Sequence, residues 1–361
     1  MILISILGDF HSSIFPLYYE FKDKITKHIV VHDAAFRERN SYKKILKSFK
    51  KFNKKNSLNI QTEEFSIDED SLKSIQELIK LIENFGVKFE DIYINATDGL
   101  SNIGVVLGSK LLKKGVNILS YDMYENSYNL TTKDNMKNIK LQSKMSIKNH
   151  FYLKGIKIET LEDISFAHRY KSEIIELFEK HGSELDYMKK DVVQQSRRYA
   201  QNYKNAKRLI DTMGLDFLKD SKQITGGLFE FYVYLIIKDL GFDDILVGVK
   251  VSQKISDGIK VENEFDILLM KDNHLHMIEC KFTKHPKISE LVYKYSTLIN
   301  LIDDDGRVMI LTNEPVYKDN IYDRSKTLQN HRRAFLNKIA LRGSVLKHKE
   351  LFLDDVKTMF L

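Results

Sequence analysis

Four charged side chains stand in stretches otherwise built for burial: Glu230 in "LFEFYVYLII", Asp266 in "NEFDILLM", and Glu279 and Lys281 in "HLHMIECKF". A buried carboxylate is costly unless it is paired or coordinates a metal. Phosphodiester hydrolysis has a use for such a set. It needs a water deprotonated near neutral pH and positive charge facing the phosphorus. Carboxylate-held Mg²⁺ supplies both, and a lysine orients the water or neutralises developing charge. Glu279 and Lys281 are two apart, so a strand projects them from one face. The turn signal "KDNH" predicts an antiparallel neighbour that brings Asp266 alongside them. Glu230 breaks an apolar helical run, and aimed at the same spot it would be a fourth member. A charged hairpin on a solvated face is the plain alternative, and the apolar flanks argue against it.

The surrounding candidates read more simply. Glu264 shares the face of Asp266 and is either a supporting group or exposed. His274 and His276 read as structural, and Cys280 as a small core residue pointing away from Glu279 and Lys281. Tyr293 and Lys294 read as packing and solvation, with a phosphate contact as the alternative. The basic stretch "HRRAFLNK" reads as a solvated helix face before it reads as a nucleic-acid track.

A second set lies near the start of the chain. "LGDFHSS" supplies Gly8, Asp9, Phe10, His11 and Ser12 after a first strand. "NATDGLSNIG" supplies Thr97, Asp98, Gly99, Leu100, Ser101 and Asn102 after a fourth, entering a helix. Backbone N–H groups at such a helix start suit phosphate, while ordinary capping by Ser, Thr, Asn and Asp is the competing reading. No G-x-G-x-x-G follows the first strand, so neither loop is a dinucleotide fingerprint.

The elements that must hold these loops are legible over the first 125 residues. "MILISIL", "KHIVVHD", "LNIQTEEFSI", "DIYINAT" and "VNILSYDM" read as strands. They alternate with helical patterns at "SSIFPLYYEFKDK", 41–53, "DSLKSIQELIKLIENFG" and "NIGVVLGSKLLKKG". Repeated βα units predict an open parallel sheet, doubly wound, with ligand at the carboxyl ends of its strands. From 126 the strand-like texture fades, and a polar helical stretch to about 220 reads as a connector. A third texture follows: a helix entered at Gly226 and Gly227, strands "DILVGVKVS", "ENEFDILLM" and "HLHMIECKF", a helix near "KISELVYKYSTLINLI", a strand "RVMILTN", and a basic helix through "SKTLQNHRRAFLNKIALRG". The predicted organisation is α/β throughout: a doubly wound domain over 1–150, a helical connector over 151–220 and an α/β domain with a mixed sheet over 221–361.

With 361 residues, 43% hydrophobic and 30% charged, the chain suits two globular domains. No apolar run reaches the length of a membrane span. The apolar start reads as a buried strand rather than a signal peptide. Cys280 is the single cysteine, so internal disulfides and cysteine zinc sites are excluded, and a cytoplasmic location is expected. Net charge is +7, from 57 Lys and Arg against 50 Asp and Glu, which permits a polyanionic partner without requiring one.

The pattern Glu230…Asp266…Glu279-Cys280-Lys281 resembles the PD-(D/E)XK nuclease superfamily, with Phe265 where its name carries proline. The local strings "GGLFEFYVY", "NEFD" and "IECK" look like its restriction-endonuclease branch. An open α/β domain with polar loops after its first and fourth strands, followed by such a nuclease, resembles the CARF-domain effector nucleases of type III CRISPR defence. Where that family usually reads T-G-G-T-K, this chain reads Thr97-Asp98-Gly99-Leu100-Ser101-Asn102. The resemblance implies a Rossmann-like CARF domain and Mg²⁺ or Mn²⁺ held by Asp266 and Glu279 with help from Glu230. It also implies that Lys281 assists the water. It further implies a homodimer whose paired sensor domains bind a cyclic oligoadenylate, with cyclic tetra-adenylate as the expected ring, and nonspecific cutting of DNA, RNA or both. A stand-alone restriction or repair endonuclease and a non-catalytic nucleotide-binding regulator are the alternatives.

Overall fold

The computed structural model describes residues 1–8, 11–34, 41–68, 71–98, 101–188, 200–215, 226–254, 260–282, 288–303, 305–312, 334, 336, 338–343 and 345–361. The chain divides into two compact units, Met1–Lys157 and Ile158–Leu361. No helix among the described residues is long and apolar enough to cross a membrane.

The first unit is a Rossmann-like sheet in the order β3-β2-β1-β4-β5-β6-β7. Its parallel part comprises β1 (Ile2–Ile6), β2 (Lys27–Asp33), β3 (Gln61–Ile67), β4 (Ile92–Asn95) and β5 (Asn117–Asp122). The five residues "ILISI" of β1 are all buried, as a central strand covered on both faces requires. One face packs α1 (Phe15–Phe21) and α2 (Ser41–Lys55) through Leu3, Phe15, Tyr18, Phe49 and Phe52. The other packs α3 (Leu72–Glu83) and α4 (Ser101–Leu111) through Ile4, Ile6, Ile75, Leu78, Ile103 and Leu107. Strand order reverses between β1 and β4, so the loops after these two strands share the carboxyl edge of the sheet.

The far edge of this sheet departs from the sequence reading. Where the strand texture fades, β6 (Ser127–Thr131) and β7 (Met136–Lys140) form an antiparallel hairpin at the sheet edge. The described side chains of β7 are mostly exposed, so its strand carries little apolar alternation. α5 (Ile147–Lys154) follows.

The second unit holds a mixed sheet in the order β13-β12-β11-β10-β9-β8. β8 (Lys157–Thr160), β9 (Asp244–Lys254), β10 (Lys260–Lys271) and β11 (His274–Lys281) are joined by β12 (Val308–Thr312) and β13 (Ile339–Arg342). The last is a short parallel strand where a basic helix was expected to end; the residues 325–333 of that expected helix lie outside the described residues. α6 (Ser165–Arg169), α7 (Lys171–Met188), α8 (Ala200–Thr212), α9 (Leu228–Ile237) and α11 (Lys349–Phe360) complete the unit with α10 (Ile288–Ile302). α7, α8 and α9 share one apolar cluster with Ile267, Leu269, Ile278 and Cys280 on one face of the sheet.

Candidate functional site

The β10–β11 hairpin turns through Asp272 and Asn273, whose φ angles of +50° and +67° are those of a tight two-residue hairpin turn. That turn sets a register of Ile267↔Ile278, which continues to place Asp266 opposite Glu279. The alternation that sends Ile267, Ile278 and Cys280 toward α9 sends Asp266, Glu279 and Lys281 to the opposite face. The β9–β10 ladder breaks once, opposite Asp266, where Gly248 has φ +57°. A Cβ there would lie 2.0 Å from Cγ of Glu162, so both the backbone conformation and the space call for glycine.

The three side chains meet. The backbone amide of Cys280 donates to Asp266 Oδ2 at 2.7 Å, and Lys281 Nζ lies 3.5 Å from the same oxygen. Lys281 also pairs with Glu279 Oε1. Glu279 is only 1% exposed, and its Oε2 is buried with no hydrogen-bond partner. Glu230, in the first turn of α9, completes the set electrostatically. Burial first, and the charge of Asp266 next, push its carboxyl up to about 8. Burial, followed by the charge of Glu279, pushes Asp266 up to about 7. Burial alone would lower Lys281, yet Asp266 and Glu279 overcome it and hold the ammonium above its ordinary value. Crowded carboxylates with raised proton affinity are what a bound cation would relieve.

Among the described residues no three Asp, Glu, His or Cys side chains stand close enough to ligate one ion together. Mg²⁺ usually takes one or two carboxylates and keeps several waters. Asp266 and Glu279 fit that requirement, with Glu279 Oε2 as an unused ligand atom.

Sequence reasoning overlooked Tyr295. This fully buried α10 side chain lies beside Glu279 and accepts from Lys294 Nζ at 2.9 Å. Its only sequence signal was an apolar-face position, indistinguishable from core. Tyr293 is 78% exposed. Glu264 is exposed and pairs with Lys250 at 3.5 Å. His276 is buried, accepts from the Arg307 amide at 3.2 Å, and is pushed down to about 3 by burial. His274 lies 4.0 Å from Asp303. Most of "HRRAFLNK" lies outside the described residues.

In the first unit the two loops touch. The Gly8 amide donates to Asp98 Oδ2 at 3.0 Å. Thr97 is anchored by Asn95, the buried last residue of β4: its amide and hydroxyl donate to Asn95 Oδ1 at 3.2 and 2.6 Å. The Thr97 hydroxyl also accepts from the Tyr121 amide at 2.9 Å, and Asn95 Nδ2 donates to the Ile14 carbonyl at 3.4 Å. Asn95, which ties both loops together, was another residue sequence reasoning overlooked. Ser12 is buried. Asp9, Phe10, Gly99 and Leu100 lie outside the described residues, as do the side chains of His11, Ser101 and Asn102.

The two halves define a class by architecture: a Rossmann-like unit followed by a unit whose mixed sheet gathers Asp266, Glu279 and Lys281. Residues 219–332, within the second unit, match the family model of the Card1-like endonuclease domain. No curated protein matches the chain by sequence. Among solved structures, the chain is similar to protein VC1899 from Vibrio cholerae, at 16% identity and TM-score 0.75, covering 99% of this chain and 98% of that one. It is similar to Can2 from Sulfobacillus thermosulfidooxidans, solved in complex with cyclic tetra-adenylate, at 16% identity and TM-score 0.68, with 98% and 96% covered. A type III CRISPR defence DNA nuclease activated by cyclic oligoadenylate shares 12% identity at TM-score 0.53, with 87% of this chain and 45% of that one covered.

Proposed function

We propose that the chain is a metal-dependent nuclease switched on by a cyclic oligoadenylate, acting in type III CRISPR antiviral defence. The observation that carries this reading is the meeting of Asp266, Glu279 and Lys281, with Glu230 in their field, inside the stretch that matches the Card1-like endonuclease model. Asp266 and Glu279 would hold Mg²⁺ or Mn²⁺, with Glu230 as the third carboxylate. Such an ion supplies a Lewis acid that acidifies water and offsets charge on the pentavalent phosphorus. Lys281, held protonated, serves as a hydrogen-bond donor and counter-charge to the phosphate rather than as a base. Glu230 holds a proton near neutral pH in the metal-free protein and can release it when positive charge arrives. None of the four distinguishes ribose from deoxyribose, so DNA, RNA or both fit as substrate.

The first unit is the proposed sensor. Gly8, Ser12, Thr97 and Asp98 sit on the loops after β1 and β4, with Asp9, Phe10, His11, Gly99, Leu100, Ser101 and Asn102 as their sequence neighbours. Backbone N–H groups at a helix start such as that of α4 would suit a phosphate. Cyclic tetra-adenylate is the ring we favour, because a neighbour of the same fold was solved with it. Two copies related by a two-fold axis would match a symmetric ring and double its donors. We assign sensing to 1–150 and cutting to 221–361; the stretch 151–220 between them supplies α6, α7 and α8 of the second unit.

The test is direct. Purified chain with Mg²⁺ or Mn²⁺, labelled DNA and RNA, and a panel of cyclic oligoadenylates should cut only when ring and metal are both present. Cutting without any ring would favour the restriction or repair reading. A protein that binds a ring and never cuts would be a regulator.

A further inference from the structure

α2 carries the charge surplus of the whole protein. Its sequence "SYKKILKSFKKFNKK" has seven lysines and no acid. The chain's excess of Lys and Arg over Asp and Glu is also seven, so the remainder is balanced. Every described side chain of this helix that is exposed is a lysine: 43, 44, 47, 50, 51, 54 and 55. Tyr42, Ile45, Leu46, Phe49 and Phe52 occupy the buried face.

An ordinary solvated face mixes signs, because like charges three and four apart destabilise a helix. α3 of the same unit does so, exposing Lys73, Gln76, Glu77, Lys80 and Glu83. α2 instead places Lys47 three or four residues from Lys43, Lys44, Lys50 and Lys51. Among the described residues, no acidic group forms an ion pair with any of the seven. Lys43, Lys47, Lys50, Lys51 and Lys54 line one open groove of about 470 Å³, floored by Leu46, with Glu64 the single acid among its described lining residues.

We propose that this groove is a docking site for the phosphate backbone of a nucleic-acid strand, independent of sequence. Lysines are point charges that neutralise phosphates without the planar fork used to read base edges. A membrane surface fits less well, since the helix exposes no apolar or aromatic side chain to insert. The choice of nucleic acid as the polyanion rests on the nuclease reading; the charge pattern does not. The site would tether substrate in addition to the carboxylate cluster of the second unit.

The test uses the full chain carrying Glu279→Gln, in chelator, so that binding is read without cleavage. Labelled single- and double-stranded DNA and RNA are titrated over a salt series. The changes Lys47→Gln, Lys50→Gln, Lys51→Gln and Lys54→Gln are then added together; Gln keeps helix propensity and leaves the buried face untouched. We expect the slope of log K against log salt to fall by roughly two to four, since each lost phosphate contact removes about 0.7–0.9. Affinity at low salt should fall about tenfold or more. The four Lys→Arg changes should restore both, which separates lost charge from misfolding. Unchanged slope and affinity in the Gln variant would overturn the site. So would a loss confined to binding of cyclic tetra-adenylate or of phosphatidylserine vesicles, which would assign the groove to the activator or to a membrane. Failure here leaves ring-dependent cutting untouched, so the two readings fail separately.

Discussion

Gly8 and Asp98, ninety residues apart, are in contact: the Gly8 amide donates to the Asp98 carboxylate at 3.0 Å, and a Cβ on Gly8 would lie 2.0 Å from the Asp98 carbonyl oxygen. The loops after β1 and β4 therefore close on each other through backbone, with no room for a side chain between them.

That contact predicts two different outcomes. Gly8→Ala must push a backbone carbonyl aside, so it should destabilise the first unit by about 1–3 kcal/mol and abolish activation. Asp98→Asn keeps the shape and an acceptor, so it should fold normally and need more ring to reach the same maximal rate. Activation curves and melting curves on both variants check this. An unaltered curve for both would place the pocket elsewhere.

Asp266→Asn and Glu279→Gln should each cut cleavage by about 10²-fold or more, on the scale of losing a charge-stabilising group. Ring binding should be unchanged, because neither residue belongs to the sensor loops. Calorimetry with cyclic tetra-adenylate beside a cleavage time course separates the two effects. Near wild-type cutting by either variant would refute the assignment.

Without metal, stability should fall as pH rises from about 5 to 8. Glu230 has its folded-state carboxyl raised from 4.5 to about 8, so the folded protein keeps a proton there that the unfolded chain has released. The unfolded state binds fewer protons in that window, and stability declines through it. On the order of 1–3 kcal/mol is at stake after allowing for the partial exposure of Glu230. Glu230→Gln should flatten the trend, and Mg²⁺ should oppose it. Melting curves between pH 5 and 8.5, with chelator or Mg²⁺, read this directly.

The chain should be a dimer before ring is added and bind one ring per dimer. One copy offers two short polar loops, too few donors to enclose a polyanionic ring. Light scattering gives the first number and titration calorimetry the second. A monomer binding one ring per chain would defeat the shared pocket.

Much of this was legible in residue order because strand and helix periods are local. Two-residue spacing put Glu279 and Lys281 on one face, "KDNH" marked the turn, and βα alternation laid out the parallel sheet. Local pattern could not reach β7 or β13. One is an exposed edge strand with little alternation, and the other is four residues long and defined by its pairing with β12. The alternation rule could not reach Asn95 or Tyr295 either, whose roles come from partners that folding brings together. Charge behaved likewise. The seven lysines of 43–55 stand in the sequence, but burial of Tyr42, Phe49 and Phe52 is what leaves them as the exposed face of α2. Composition and period are properties of neighbouring residues. Burial, pairing register and proton affinity are sums over segments distant in the chain, and only tertiary packing decides those.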